Sequence, residues 1–527
     1  MKLTSPKRAN VSTSSGNGSA GRDVIVIGAG FGGLAAAIRL AARGYQVTVL
    51  ESRDQPGGRA GRIRDQGFTF DTGPTLITVP ELFRDLWRTA GRSFDEDVVL
   101  QPLEPFYEIR FRDGRDFRYS GEQDTFEQEI RAFNPADVDG YRRFIEASGN
   151  IYQRAFADLG RVPFHSLRQF MRVVPELVRL GGLSSVHDFV SRYVSDPHLR
   201  TVLSFHPLFI GGNPYRASAI YSIVPYLERQ SGVHFASGGM HEVVLAMVRL
   251  LRELGGEILY GHRVRRITSA AGRVTGVTCA DGTAMSADLI VANSDAAATS
   301  LELIDGKDRS ALWSSHLTRA RYSMSCLLFY FGLDRQYPSL AHHTILMPRD
   351  VRVAVTDIFD RGRVPADLPM YLHTPTRTDP SMAPPGGESL YALVPVPNLS
   401  SQIDWKSTGD SVRARVVESL ERDAGLRGFA DAIVVEHRYT PDYFRDDLGS
   451  WLGAAFSIEP TLSQSAYFRP HNKSGRLDGL YFVGAGTHPG AGVPGVLLSA
   501  EISTNMIIGE PVRRKHRDVV RTEVKVN

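Results

Sequence analysis

Short apolar runs broken by glycines set the pattern of this chain. Residues 23–27, Asp-Val-Ile-Val-Ile, are β-branched after the first position and predict a buried strand. The Ala- and Leu-rich stretch 34–43 predicts a helix, with Gly44 placed as a C-terminal cap. Val47, Val49 and Leu50 read as a second strand that ends at Glu51. Farther on, Phe106, Tyr107, Ile109 and Phe111 alternate as half-buried strands do. A helix is predicted from Gly238-Gly239-Met240, with Val243, Val244, Met247, Leu250 and Leu251 on one face and Gly255-Gly256 as its stop. Strands are expected at 257–260 and 263–267, and Val277 and Leu289 are expected to pair across a turn at Asp281-Gly282. Residues 480–483 read as a strand that feeds glycines and a helix-like run over 496–508.

This order predicts an α/β fold in which one domain is split by another. Residues 23–90, 231–300 and 466–510 are assigned to a Rossmann-type domain, interleaved with a mixed α+β domain made of 91–230 and 301–465. Residues 1–22, rich in Ser, Gly, Asn and Thr, read as a disordered tail, and 511–527 as a basic tail. No apolar stretch reaches the roughly eighteen residues of a membrane span.

The glycines carry the first chemistry. Gly28 permits a tight turn after the first strand, Gly30 lets backbone approach a pyrophosphate, and Gly33 lets helix and strand pack closely. Glu51 stands about 20 residues beyond them, where a carboxylate accepts from ribose hydroxyls. The choice between nicotinamide and flavin falls on Gly57-Gly58-Arg59, an element common in glutathione-reductase-like flavoproteins, whose arginine can meet the pyrophosphate charge. FAD is the expected cofactor. A second strand–glycine–helix unit runs from Val483 through Gly484, Ala485, Gly486 and His488 to Gly495 and Val496, where backbone can lie against a flat ring at a helix N-terminus.

Composition narrows the classes. With 527 residues the chain exceeds one ordinary core, and 42% hydrophobic and 23% charged residues suit a folded protein. A net charge of +3, with no basic motif interleaved with aromatics, gives no footing for nucleic acid. Cys279 and Cys326 form no metal or redox motif, no metal is expected, and a reducing, cytoplasmic setting suits them. Cys326, in the apolar run 326–331, is expected to be buried.

Larger motifs narrow the reading further. The segments 67–74 (Gly-Phe-Thr-Phe-Asp-Thr-Gly-Pro), 205–214 (Phe-His-Pro-Leu-Phe-Ile-Gly-Gly-Asn-Pro) and 483–495 resemble those of the bacterial and fungal phytoene desaturases, as do patches at 340–344 and 468–472. The similarity spans roughly 23–508. It implies a two-domain glutathione-reductase-like FAD-binding fold with an interleaved substrate domain. It also implies FAD-dependent dehydrogenation of phytoene to neurosporene- or lycopene-type products, with quinone or oxygen taking the electrons. In such flavoproteins a strand like 263–267 supplies backbone contacts to the adenine side, and Val264 aligns with it. The substrate is a hydrocarbon, so an apolar tunnel must do the recognition. The expected chemistry is hydride transfer to flavin N5 and proton loss from a neighbouring carbon.

The proton acceptor is not fixed by the sequence. Relatives carry an Arg-Asp pair in the segment matching 162–169; here Arg168 is retained and Gln169, which cannot titrate, holds the acid position. Arg168 and His488 are the candidate catalytic residues. If 164–180 is helical, Phe164, Leu167, Met171, Val174 and Val178 share a face apart from Arg168, Arg172 and Arg179. That face either packs on a core or lies on a bilayer, and peripheral attachment to the membrane surface is the expectation, because the substrate is held in lipid. The alternatives are a downstream carotenoid desaturase, a carotenoid isomerase of the same superfamily, an amine oxidase, and an isoprenoid-binding escort resembling the Rab GDP-dissociation inhibitors.

Overall fold

The computed structural model describes residues 21–510, apart from the side chains at 157, 158, 169 and 177. Of the two expected tails, residues 1–20 and 511–527 lie outside the described residues, as does the side chain of Gln169.

A five-stranded, all-parallel sheet runs in the order Leu480–Phe482, Leu289–Ala292, Asp23–Ile27, Gln46–Leu50, Glu257–Leu259. Three distant parts of the chain thus share one sheet. Side-chain alternation explains why Asp23–Ile27 reads as unbroken apolar sequence. Val24 and Val26 pack among the helices Phe31–Ala41, Met240–Glu253 and Val493–Ile508, whereas Ile25 and Ile27 pack on the opposite face with Val264, Ile267 and Val277. Phe94 and Val98 also belong to the helical core. The first helix starts at Phe31 and ends at Ala41, and Gly44 follows at φ +82°. Gly33 is required inside it, because a Cβ there would stand 2.0 Å from the Gly28 carbonyl oxygen.

One expected pairing is corrected. Arg273–Cys279 turns at Asp281-Gly282 but pairs with Ala284–Ser286, in a three-stranded sheet with Val264–Ala270. Leu289 instead begins the next parallel strand, whose four residues are all buried. The short strand 284–286 was missed because its Ala-Met-Ser sequence carries no alternation of buried positions.

The second domain holds a seven-stranded mixed sheet in the order Ile433–Tyr439, Ser325–Leu333, Glu388–Val396, Met370–His373, His343–Leu346, Tyr107–Arg110, Asp116–Tyr119. Every residue of Ser325–Leu333 is buried. Leu327, Phe329 and Phe331 face the helix Trp405–Arg422, while Cys326, Leu328 and Tyr330 face Phe68 and Phe70. Both faces are covered, so the strand is apolar throughout.

Candidate active site

One cavity of about 910 Å³ is lined by residues of both sheets and their loops. At one end the backbone of Gly28, Gly30 and Gly32 lines it, and Gly484, Ala485 and the loop 488–496 face them. Gly28 has φ +94°, a conformation only glycine adopts without strain. The helices Phe31–Ala41 and Val493–Ile508 both begin at this wall, after Gly30 and Gly492, and neither has a side-chain cap. Their first-turn N–H groups and dipoles therefore concentrate positive potential there.

The acidic residue at the end of the second strand is firmly held. Glu51 is 5% exposed, and its Oε2 accepts from the Ala29 N–H at 2.8 Å while Oε1 accepts from the Arg53 N–H at 3.0 Å. The carboxylate lies in the cavity wall with Gly57, Gly58 and Arg59. Arg59 donates from Nη2 to Ser450 Oγ at 2.7 Å, while its buried Nε has no partner, and burial pulls its pKa below the usual arginine value. Val264 and Val496 also line the cavity. Gly33 and Gly486 do not. They allow close packing, since a Cβ on Gly486 would meet the Ala296 nitrogen at 2.9 Å.

Several groups on this wall carry no signal that spacing could reveal. Asn293 directly follows the strand Leu289–Ala292, and its Nδ2 donates to the Gly28 carbonyl at 3.3 Å. Asp295 caps the short helix Ala296–Ala298 through Oδ1, and its buried Oδ2 is unpaired. Arg469 is 1% exposed and lines the cavity, with Nε and Nη1 unpaired and burial as the chief cause of a lowered pKa. It lies in the 468–472 patch that carried the resemblance.

The rest of the wall is mostly apolar, including Phe164, Leu208, Phe209, Ile220, Leu227 and Met347. Polar groups interrupt it at few points. Glu228, 1% exposed, accepts from the Tyr107 hydroxyl at 2.6 Å and faces His206 Nε2 at 3.3 Å. Thr75 and Tyr371 stand together with oxygens 2.5 Å apart.

The two catalytic candidates part company. His488 lines the cavity, 6% exposed and edge-on to Phe164, and burial first, then Arg469, pulls its pKa down to about 3. Burial thus keeps the His488 ring neutral. Arg168 is exposed on the helix Leu167–Arg179 and does not line the cavity. The helix thus turns Arg168 toward solvent.

The glycine walls, the uncapped helix starts and the unpaired buried guanidinium nitrogens of Arg59 and Arg469 suit a long, flat, anionic ligand such as FAD. Residues 31–508 match the flavin containing amine oxidoreductase family. The chain is 42% identical over 492 residues to a phytoene desaturase (lycopene-forming) of Paracoccus sp., covering 93% of this chain and 98% of that protein. It is also 42% identical over 493 residues to a phytoene desaturase (neurosporene-forming) of Rhodobacter capsulatus, covering 92% and 94%. Among solved structures it resembles a putrescine oxidase bound to putrescine, with TM-score 0.61 at 17% identity over 93% of this chain and 99% of that one. An oxidoreductase from Methanosarcina mazei gives TM-score 0.60 at 18% identity over 93% and 100%. The chain belongs to the flavin-containing amine oxidoreductases and, within them, to the FAD-dependent phytoene desaturases.

Proposed function

We propose that this protein dehydrogenates phytoene to neurosporene- or lycopene-type carotenoids at a membrane surface. The observation that carries the reading is the continuity of a glycine-walled, positively biased region with an apolar cavity in one buried space. When bound, FAD supplies the two-electron acceptor for the carbon–hydrogen bond.

The residues divide the work by their chemistry. Gly28, Gly30 and the first turn of Phe31–Ala41 would receive the pyrophosphate, with Gly57, Gly58 and Arg59 beside it. Glu51, already oriented by two backbone N–H groups, would take ribose hydroxyls, and Val264 would meet the adenine side. The loop from Gly484 to Val496 and the Arg469 guanidinium would border the ring. The apolar wall gains about 25 cal/mol for each Å² of polyene surface it covers. Covering it also keeps water from a carbon that becomes electron-poor.

Surface features support membrane attachment. Leu167 is 50% exposed, Met171 56% and Val178 42%, on a helix that also exposes Arg168, Arg172 and Arg179. Exposed apolar side chains beside basic ones suit an anionic bilayer interface. The test is incubation of the flavin-loaded protein with phytoene in liposomes, under air or with a quinone, followed by product identification. Absence of any desaturated product under both conditions would remove the substrate assignment.

A further inference from the structure

Removing hydride and proton from a hydrocarbon inside a dry cavity leaves a proton that must reach water. Among the described residues, three histidines come together behind the cavity wall: His343 and His373 from paired strands and His342 just before the first, with ring nitrogens within 4.8 Å of one another. All three are buried, at 6%, 0% and 1% exposure. No carboxylate oxygen joins them, so a dication held there would have no compensating charge.

Hydrogen bonds tie this cluster to the cavity and to the surface. On the cavity side, Thr75 and Tyr371 line the wall, and the Tyr371 hydroxyl is 2.5 Å from Thr75 Oγ1 and 2.7 Å from His343 Nδ1. Nε2 of His343 has no hydrogen-bond partner. Beyond it, the Nε2 atoms of His373 and His342 are 3.2 Å apart, and His342 Nδ1 is 2.6 Å from Oγ1 of Thr378, which is only half-buried.

We propose, building on the desaturase reading, that Thr75, Tyr371, His343, His373, His342 and Thr378 form a proton wire that carries the substrate's proton from the cavity to solvent. The electron pair of the broken carbon–hydrogen bond becomes the π bond of the new alkene. The proton forms an O–H bond on Tyr371, directly or through Thr75, as the tyrosine's own proton passes to Nδ1 of His343. Nε2 of His343 then releases a proton to the His373–His342 pair, the three rings offering nitrogens within 4.8 Å of one another, and Nδ1 of His342 hands one to Thr378. The second hydrogen leaves as hydride, with FAD as the oxidant, so electrons and protons balance.

Burial keeps all three imidazoles neutral, pulling His342 down to about 3 and the other two well below the usual histidine value. Neutral rings suit a relay, because each offers one donor and one acceptor. Low basicity is no obstacle, since a hydrogen beside a cationic carbon is far more acidic than an imidazolium.

The test compares the full-length, flavin-loaded wild type with Tyr371→Phe, Thr75→Val and His343→Gln, using phytoene in liposomes. The flavin spectrum and phytoene binding serve as controls for folding. Tyr371→Phe is expected to retain both and to lower product formation by about 10²-fold, the low end of proton-transfer contributions. Wild type is expected to slow in D₂O with a curved proton inventory, and Tyr371→Phe to lose that curvature. A merely structural tyrosine would leave the curvature in place. Should His343→Gln fail to bind flavin, the other two variants carry the test. Product formation by Tyr371→Phe within twofold of wild type, with the isotope response unchanged, would overturn the wire. A wild type that makes no product would instead overturn the substrate reading.

Discussion

Arg469 donates from Nη2 to the carbonyl of Ala485 at 2.8 Å, which fixes a buried guanidinium against the C-terminal glycine loop. The same nitrogen reaches the Ile458 carbonyl at 3.2 Å. The remaining nitrogens are unpaired, and Gly490 passes so close that a Cβ there would stand 3.4 Å from Cζ. A buried cation held this way is costly unless an anionic or electron-rich partner meets it.

Arg469→Gln is therefore expected to weaken FAD binding by about 10- to 100-fold, matching the roughly 1.5–3 kcal/mol of a hydrogen bond to a charged group. Lysine should not restore affinity, because an ammonium lacks the planar fork that bridges carbonyls and ligand. Fluorescence titration of the apoprotein with FAD reads both outcomes, and equal affinity in wild type and glutamine variant would remove Arg469 from the cofactor site.

Tyr107 and Glu228 are 121 residues apart in sequence, and their contact supports a carboxylate in the cavity wall. His206 also faces that carboxylate, with its Nε2 3.3 Å from the otherwise unpaired Oε2. Tyr107→Phe leaves the packing with Phe205 and Phe209 and removes one donor. It is expected to cost about 1.5–3 kcal/mol of stability, the value of a hydrogen bond to a charged acceptor. Urea unfolding checks this, and a change below about 0.5 kcal/mol, the range of unremarkable surface substitutions, would contradict it.

Asp71 gives a pH-dependent counterpart. It ends the strand Phe68–Asp71 and accepts from the N–H groups of Met240 at 2.8 Å and His241 at 3.2 Å, so it caps a helix from a distant part of the chain. Gly239 must be glycine there, with φ +96° and a Cβ that would stand 2.7 Å from Oδ2. Burial raises the Asp71 pKa from 3.8 to about 7, against the lowering effects of the two N–H groups and of Arg62. A folded-state pKa above the unfolded one means the folded chain binds the proton more tightly. Its contribution is fully present below pH 3.8 and is lost as pH rises through about 7. Asp71→Asn keeps an acceptor without titrating, so its Tm should gain on that of wild type between about pH 4 and 7. Parallel Tm profiles would refute the assignment.

What the sequence made legible follows from how local each cause is. The turn at Gly28 and Gly30, the strand before Glu51 and the helix after Gly239 were readable because strand, turn and helix preferences act within a few residues. Cys326 was readable as a buried residue because a strand covered on both faces has no polar positions. Arg469, Asp295 and the pair Glu228–His206 were not readable as site residues, since their roles depend on partners brought together by two folded sheets. The histidine cluster was hidden for the same reason: His373 joins His342 and His343 only through the register that sets it opposite His343. Arg168, named from a resemblance, lies on the solvent side of its helix and away from the cavity wall, a placement that local sequence does not reveal.

The helix Leu167–Arg179 supplies the last prediction, about where the protein works. Phe170 within it and Phe164 just before it are buried, edge to face with each other, so one side of the segment is anchored to the protein. Leu167, Met171 and Val178 point outward instead, and Leu183 just beyond is 67% exposed. Each basic side chain near an anionic surface contributes about 1 kcal/mol. Replacing Arg168, Arg172 and Arg179 together by glutamine is therefore expected to weaken binding to anionic liposomes by roughly 10²-fold, following from that per-charge value. Replacing Leu167, Met171 and Leu183 by serine should weaken binding to neutral liposomes as well, because their contribution is apolar burial. Turnover of phytoene dispersed in detergent should be nearly unchanged in both variants, since none of these side chains lines the cavity. Flotation of wild type and both variants on each liposome type separates charge from burial, and equal flotation throughout would exclude this helix as the docking surface.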